Sequence, residues 1–182
     1  MEALSDYQKI ELIHGNEYAM SPATIKHIIV QRNLSGIIWN FLRGKRCQVF
    51  AEAEVIFDEN IHLIPDLLVV CNKEKIKKNF IQGAPDFIVE VLSPSTKRRD
   101  MTVKKDIYEK YGVKEYWLIN PKDESIEVYL LNEGKYQLDN IYHNFDEEDW
   151  AALTEKEKSE QQLSLKISLY DDLEILVKDI FE

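Results

Sequence analysis

The sequence predicts a mixed α/β fold, a central β-sheet flanked by helices, and three observations predict it. DFIVEVL (86–92) is almost continuously apolar and β-branched, the pattern of a strand buried on both faces. EYWLIN (115–120) repeats that character, and IPDLLVV (64–70) is a further strand. Between them lies a polar segment of helical length with its own start and stop signals, while residues 24–42 space apolar side chains three to four apart. Strands that must be covered on both faces, with helices between and before them, form a sheet layered by helices.

Taken in order, residues 7–20 (YQKIELIHGNEYAM) read as a hairpin turning at His14-Gly15-Asn16. Ser21-Pro22 breaks the chain before an amphipathic helix at 24–42, whose apolar positions run from Ile25 to Leu42 and which Gly44 suits as a C-cap. CQVFAEAEVIF (47–57) alternates as one strand, Asp58-Glu59-Asn60 turns the chain, and 64–70 is the next strand. KEKIKKNF (73–80) is a short polar helix or loop. Ser93-Pro94-Ser95-Thr96 caps a helix over about 97–111, closed by Gly112. After 115–120, strands 125–131 and 135–142 form a hairpin, and the acidic insert at about 144–160 is a loop with a helical piece around Trp150. LSLYDDLEILVKDIFE ends the chain as a short strand and an amphipathic helix. At 182 residues, one domain over 1–182 with a sizeable core is expected.

Composition narrows the function. Hydrophobic residues make up 45% of the chain, as in globular proteins. No run of about 18 apolar residues offers a membrane span, and the N-terminus lacks a secretory pattern, so a cytoplasmic protein is expected. Cys47 and Cys71 each neighbour strand-like apolar residues and read as buried thiols. Lys plus Arg is 23 against 33 for Asp plus Glu, a net charge of −10 that counts against tight, nonspecific grip on a polyanion. Distribution softens that objection, because RGKR (43–46), KEKIKK (73–78) and KRRDMTVKK (97–105) are basic and leave room for a basic cleft on an acidic body.

Two strands that must be buried each carry an acid, Asp66 in IPDLLVV and Glu90 in DFIVEVL. A carboxylate in an apolar strand loses on the order of several kcal/mol of solvation unless it is paired or metal-bound. One explanation is a salt bridge; the other is a hard cation such as Mg²⁺, which takes one or two protein carboxylates and keeps waters. Lys104 lies 14 residues after Glu90, and Lys104 and Tyr108 are one turn apart on the same helix face. Packed across the sheet, that face brings an ammonium toward the carboxylates; left outward, Lys104 is a solvated lysine like Lys105. Glu52 and Glu54 share a strand face that reads as solvent-facing, with a minor prospect that one joins a metal site. Arg98 and Arg99 read as solvated, Ser93, Ser95 and Thr96 as capping residues, and Tyr116-Trp117 as core.

PDLLVV, then GAPDFIVEVLSPSTKRRDMTVKKDIYEKYGVKEYWLINP, resembles the Uma-two family of restriction-endonuclease-like proteins in the PD-(D/E)XK nuclease superfamily. The likeness extends to YQKIELIHGNEYAMSP and ISLYDDLEILVKDIF, leaving out only the acidic insert. It implies a restriction-endonuclease-like core, a Mg²⁺ or Mn²⁺ site and hydrolysis of nucleic-acid phosphodiesters, DNA foremost. By motif, Asp66 is the acid of the PD element and Glu90 that of the (D/E)XK element. The position two after Glu90 is Leu92, a departure from the plain superfamily pattern; the family's K-x-x-x-Y arrangement selects Lys104, with Tyr108 beside it. The backbone carbonyl of Val91 is implied as a further metal ligand, and His27 and Gln31 match a His-Gln feature on the first helix. That helix contains no Asp or Glu, which favours one-metal chemistry. A homodimer is expected from the family's habit and an exposed apolar face on the terminal helix. Two other functions fit the same residues: a catalytically silent scaffold binding protein or nucleic acid, and hydrolysis of another phosphoester.

Overall fold

The computed structural model describes residues 8–182, so the start of the first hairpin, at Tyr7, lies outside the described residues. In chain order, β1 (Ile10–Ile13) and β2 (Asn16–Ala19) precede helix α1 (Ile25–Leu42). Then come β3 (Gln48–Ala51), β4 (Val55–Asp58), β5 (Ile61–Leu63), β6 (Leu67–Val70), the short β7 (Ile81–Gln82) and β8 (Phe87–Val91). The helical stretch 97–111 joins α2 (Lys97–Arg99), a π-helical turn (Asp100–Lys104) and α3 (Lys105–Tyr111). β9 (Glu115–Asn120), β10 (Ser125–Asn132) and β11 (Lys135–His143) follow. The acidic segment holds α4 (Glu147–Ala152) and α5 (Glu155–Glu160), before β12 (Ser164–Lys166), β13 (Glu174–Leu176) and α6 (Val177–Phe181).

The fold is the expected mixed α/β one. Its main sheet has the order β11-β10-β9-β8-β6-β3, and a second sheet has the order β2-β1-β5-β4-β7. β8 pairs in parallel with β9 and antiparallel with β6. A parallel neighbour requires a crossover, which the helical stretch 97–111 supplies. Along β8, Phe87, Val89 and Val91 pack into a cluster with Val30, Leu34 and Ile38 of α1 and Ile180 of α6. Ile88 and Leu92 point the other way, into a cluster with Tyr108, Tyr116 and residues of the second sheet. Covered faces on both sides explain the unbroken apolar run, and Glu90 falls on the second face.

Several expectations change. The single strand at 47–57 is two strands in different sheets, bent at Glu52, whose φ of 51° lies in the left-handed region. The stretch before Leu67 likewise leaves the second sheet, where β5 runs, to enter the main sheet as β6. At the break, the Glu52 amide donates to the Asp66 carbonyl at 3.3 Å, so both crossings meet at one point. KEKIKKNF forms only a 3₁₀ turn at Lys73–Lys75. Cys47 and Cys71 are not separate thiols: they follow the β3–β6 register and are joined by a disulfide. The terminal helix offers no exposed apolar face, because Val177 and Ile180 are buried in the cluster shared with α1. On α1 the buried stripe is His27, Val30, Leu34, Ile38 and Leu42, which leaves Ile25 and Ile28 outside. Tyr116 and Trp117 are core residues, as expected. No helix among the described residues is long and apolar enough to cross a membrane.

Candidate metal centre

Strand register assembles the first part of the site. Leu67 stands opposite Val89 and Leu68 opposite Ile88, so one further step sets Asp66 opposite Glu90 on the face away from α6. Ala51 opposite Leu67 sets Glu52 beside Asp66 by the same step. Three acids from separate stretches of chain thus form a row across three adjacent strands. The Val91 amide donates to Oδ2 of Asp66 at 2.6 Å, locking the end of β8 to that carboxylate.

The helical stretch 97–111 adds the cation. Lys104 Nζ lies 3.1 Å from Oε1 of Glu90, and the Tyr108 hydroxyl donates to the same oxygen at 2.6 Å. Lys104 is also 2.7 Å from Oε1 of Glu11 and 3.6 Å from Oδ1 of Asp100. Glu11 belongs to β1 of the second sheet, and its Oε1 accepts the Ile64 amide at 3.0 Å. All four charged groups are buried: Glu11 and Asp100 are 1% exposed, Glu90 and Lys104 3%. The π-helical turn carries Asp100 and Lys104 on one side, and such turns recur at functional sites.

Burial dictates the titration of this cluster. Desolvation raises Glu90 well above the ordinary carboxyl value, partly offset by Lys104 and reinforced by the charges of Asp100, Asp66 and Glu11. Asp100 is raised for the same first reason. Burial works against the charge of Lys104, but Glu90, Glu11 and Asp100 outweigh it and hold the ammonium protonated above its usual range. Burial raises Tyr108 too, and the neighbouring Glu90 charge adds to it, so the phenol stays a donor.

His27 and Gln31 reach the row from α1. His27 Nε2 is 3.1 Å from Oδ1 of Asp66, and Gln31 Nε2 donates to the Asp66 carbonyl at 2.8 Å and to Glu52 at 3.4 Å. Burial opposes the imidazolium, yet the hydrogen bond and charge of Asp66, with Glu52 and Asp100, raise the His27 pKa above its usual value. Among the described residues its Nδ1 is buried without a hydrogen-bond partner, as is Oδ1 of Asp100. Glu52 pairs with Lys9, which lowers its pKa.

These groups line a cavity of about 650 Å³, together with Val91, Ser93 and Arg99. Among the described residues its walls carry five carboxyl groups (Glu11, Glu52, Asp66, Glu90 and Asp100) against three permanent cations (Lys9, Arg99 and Lys104). Burial favours the protonated forms of Glu90 and Asp100, so a divalent cation at these acids would compete with protons. Among the described residues no group of three His, Cys, Asp or Glu side chains is disposed to hold a metal unaided. Mg²⁺ does not require one, since it binds through one or two carboxylates and keeps several waters. Hard oxygen donors at Asp66 and Glu90, an excess of carboxyl groups over permanent cations and a Glu90 raised by burial fit such an ion.

Every residue singled out from sequence for this site lines it or touches one that does: Asp66, Glu90, Val91, Lys104, His27, Gln31 and Tyr108. Glu52 faces the cavity rather than solvent, because the chain bends there to change sheets. Glu11 and Asp100 went unrecognised. The signal for Glu11 was its place beside Ile13 on the inward face of a four-residue strand, and for Asp100 its position one turn before Lys104. Arg99 is not simply solvated; its guanidinium lies 4.3 Å from the Tyr18 ring and 3.9 Å from Glu11. The basic runs do not converge. Arg46 donates to the Cys71 carbonyl and Lys75 to that of Ala84, both at the end of the main sheet opposite Asp66, so only the 97–105 run borders the cavity.

A family model described as "Uma2: Putative restriction endonuclease" matches residues 1–166. The chain is 28% identical over 149 residues to "Uncharacterized protein slr1290" of Synechocystis sp. (strain ATCC 27184 / PCC 6803 / Kazusa), a span of 80% of this chain and 72% of that one. Among solved structures it is similar to one described as "a putative nuclease belonging to DUF820", from Anabaena variabilis ATCC 29413. That likeness has a TM-score of 0.72 at 21% identity and covers 94% of this chain and 89% of the other, a likeness of fold.

Proposed function

The chain belongs to the Uma2 family, whose description reads "Putative restriction endonuclease", and from that membership we propose that it is a divalent-metal-dependent endonuclease hydrolysing phosphodiester bonds, DNA foremost. The observation that carries this reading is the contact of Lys104 with Glu90 at 3.1 Å, one strand away from Asp66 in a cavity lined by more carboxyl groups than permanent cations.

Asp66 and Glu90, with the Val91 carbonyl, would hold Mg²⁺ or Mn²⁺. When bound, such an ion acts as Lewis acid toward the phosphate and lowers the pKa of water. The chain's own groups do the rest. Asp66 is oriented by the Val91 amide and by His27, so its carboxylate is held before a ligand arrives. Tyr108 fixes Glu90 and keeps its own proton throughout. Lys104, held protonated by the carboxylates around it, lines the cavity and would stabilise negative charge developing on a phosphate bound there. Arg99, on the cavity wall, is placed to bind a flanking phosphate.

Purified protein incubated with duplex DNA, single-stranded DNA and RNA, with Mg²⁺ or Mn²⁺, is expected to cleave DNA. Asp66→Asn, Glu90→Gln and Lys104→Ala are each expected to lower the rate at least about a hundredfold, the scale of losing an electrostatic stabiliser. No cleavage of any substrate with either metal would sink the proposal. Binding without cleavage, and no Mn²⁺ heat sensitive to Asp66→Asn, would favour the scaffold instead, which the net charge of −10 supports.

A further inference from the structure

We propose that Glu11, Glu90 and Asp100 form a cation cage that the Lys104 ammonium fills in place of a second metal ion, so that the protein binds one divalent cation rather than two. The inference rests on the Asp66–Glu90 metal site proposed above and specifies how many ions that site takes.

Three carboxylates on three different elements, β1, β8 and the π-helical turn, converge on a single point at 2.7, 3.1 and 3.6 Å. Clusters of acids on surfaces are commonplace, but these are all at least nine-tenths buried. Oδ1 of Asp100 is buried with no hydrogen bond among the described residues, and the ammonium lies 3.6 Å from it. Oxygen-only surroundings of this kind are what a hard divalent ion takes. An ammonium meets the same demand partway, since it presents three donors to three acids but carries one charge. One ammonium therefore faces three carboxyl groups, with Arg99, 3.9 Å from Glu11, at the rim.

The cage is closed by covalent design. Lys104 arrives on the same turn as Asp100, and Glu11 is tied to the Ile64 amide, so neither wall nor occupant is free to leave. A metal ion entering this point would have to displace a tethered cation that is already in contact with Glu90. Glu90 is the wall shared with the Asp66 side, and because Lys104 and Tyr108 both bond its Oε1, an ion at its Oε2 would displace neither. Glu11 and Asp100 thus act through Lys104 as positioning residues.

The test is titration calorimetry with Mn²⁺ on the full chain. Wild type is expected to bind one ion, Lys104→Ala two, and Lys104→Ala combined with Glu11→Gln one again. Two ions on wild type, or a single ion on Lys104→Ala, would overturn the inference while leaving the Asp66–Glu90 site intact. No ion on wild type but one on Lys104→Ala, lost with Glu11→Gln, would instead discard the Asp66–Glu90 site and keep the cage. Should Lys104→Ala lose near-ultraviolet circular dichroism without metal, Mn²⁺ is expected to restore it, and the Glu11→Gln combination to abolish that restoration. Failure of Mn²⁺ to restore it counts against the cage.

Discussion

Lys104 and Tyr108, one helical turn apart, donate to the same oxygen of Glu90, at 3.1 and 2.6 Å. The helical stretch therefore holds the buried acid by two different donors, one charged and one neutral. Tyr108→Phe removes the neutral donor at little change in volume and is expected to destabilise the protein by about 1–3 kcal/mol. Lys104→Met strands three buried carboxylates and is expected to cost more, about 3–5 kcal/mol. Urea denaturation of both variants checks the order; a larger loss for Tyr108→Phe would contradict it.

His27 touches Asp66 at 3.1 Å and is placed to orient that carboxylate. Partners of this kind support metal affinity without binding the metal. His27→Ala is expected to weaken Mn²⁺ binding about 10–100-fold, while Asp66→Asn abolishes it. Calorimetry decides, and equal affinity in His27→Ala and wild type would remove His27 from the site.

Stability of the metal-free protein is expected to fall as pH rises from mild acid toward neutrality. Glu90 has its folded pKa raised from 4.5 by burial, so between 4.5 and the raised value the folded chain holds a proton that the unfolded chain has released. Stability then declines with rising pH across that window, and Asp100 contributes in the same direction. Glu90→Gln is expected to flatten the profile, as is Mn²⁺ acting on the ionised carboxylate. Thermal melts at stepped pH read this directly. A wild-type profile that climbs over the window, with Glu90→Gln unchanged, would show that Glu90 is not protonated on folding.

The placement of basic residues predicts a shallow salt dependence for nucleic-acid binding. Of the three basic runs only that at 97–105 borders the cavity. Arg99→Ala is expected to reduce the slope of log K against log salt by about one, the loss of a single phosphate contact. Arg43→Glu, beyond the far end of α1, is expected to leave the slope unchanged. Fluorescence anisotropy with labelled oligonucleotides at several salt concentrations separates the two.

The disulfide between Cys47 and Cys71 closes a loop of 24 residues in sequence separation, a span that contains Glu52 and Asp66. Reduction is expected to lower stability by about 3 kcal/mol, measured as a shift of the urea midpoint with and without a thiol reductant. An unchanged midpoint would show that the bridge does not constrain the chain.

Much of this protein is written in local sequence. Apolar runs at 64–70, 86–92 and 115–120 mark strands buried on both faces, and an acid inside such a run stands out because nothing apolar requires it. Helical spacing put Lys104 and Tyr108 on one face, and Tyr108 and Glu90 do meet. What periodicity misses are decisions made between distant segments. One alternating strand at 47–57 became two because the second sheet offered pairing partners for Val55–Asp58 and the main sheet for Gln48–Ala51, and that bend turned Glu52 inward. Two cysteines in apolar surroundings look alike whether bonded or not until strand register sets them side by side.

Sequence alone determined which strands are buried on both faces, because an unbroken apolar run leaves no face for water. Only the tertiary structure decided which buried charges share a neighbour. Glu11 lies 93 positions before Lys104 in the chain and yet meets it at 2.7 Å, because folding places the second sheet over the helix that crosses the first. Electrostatic partnership depends on distance in space, and no local pattern of residues encodes that distance.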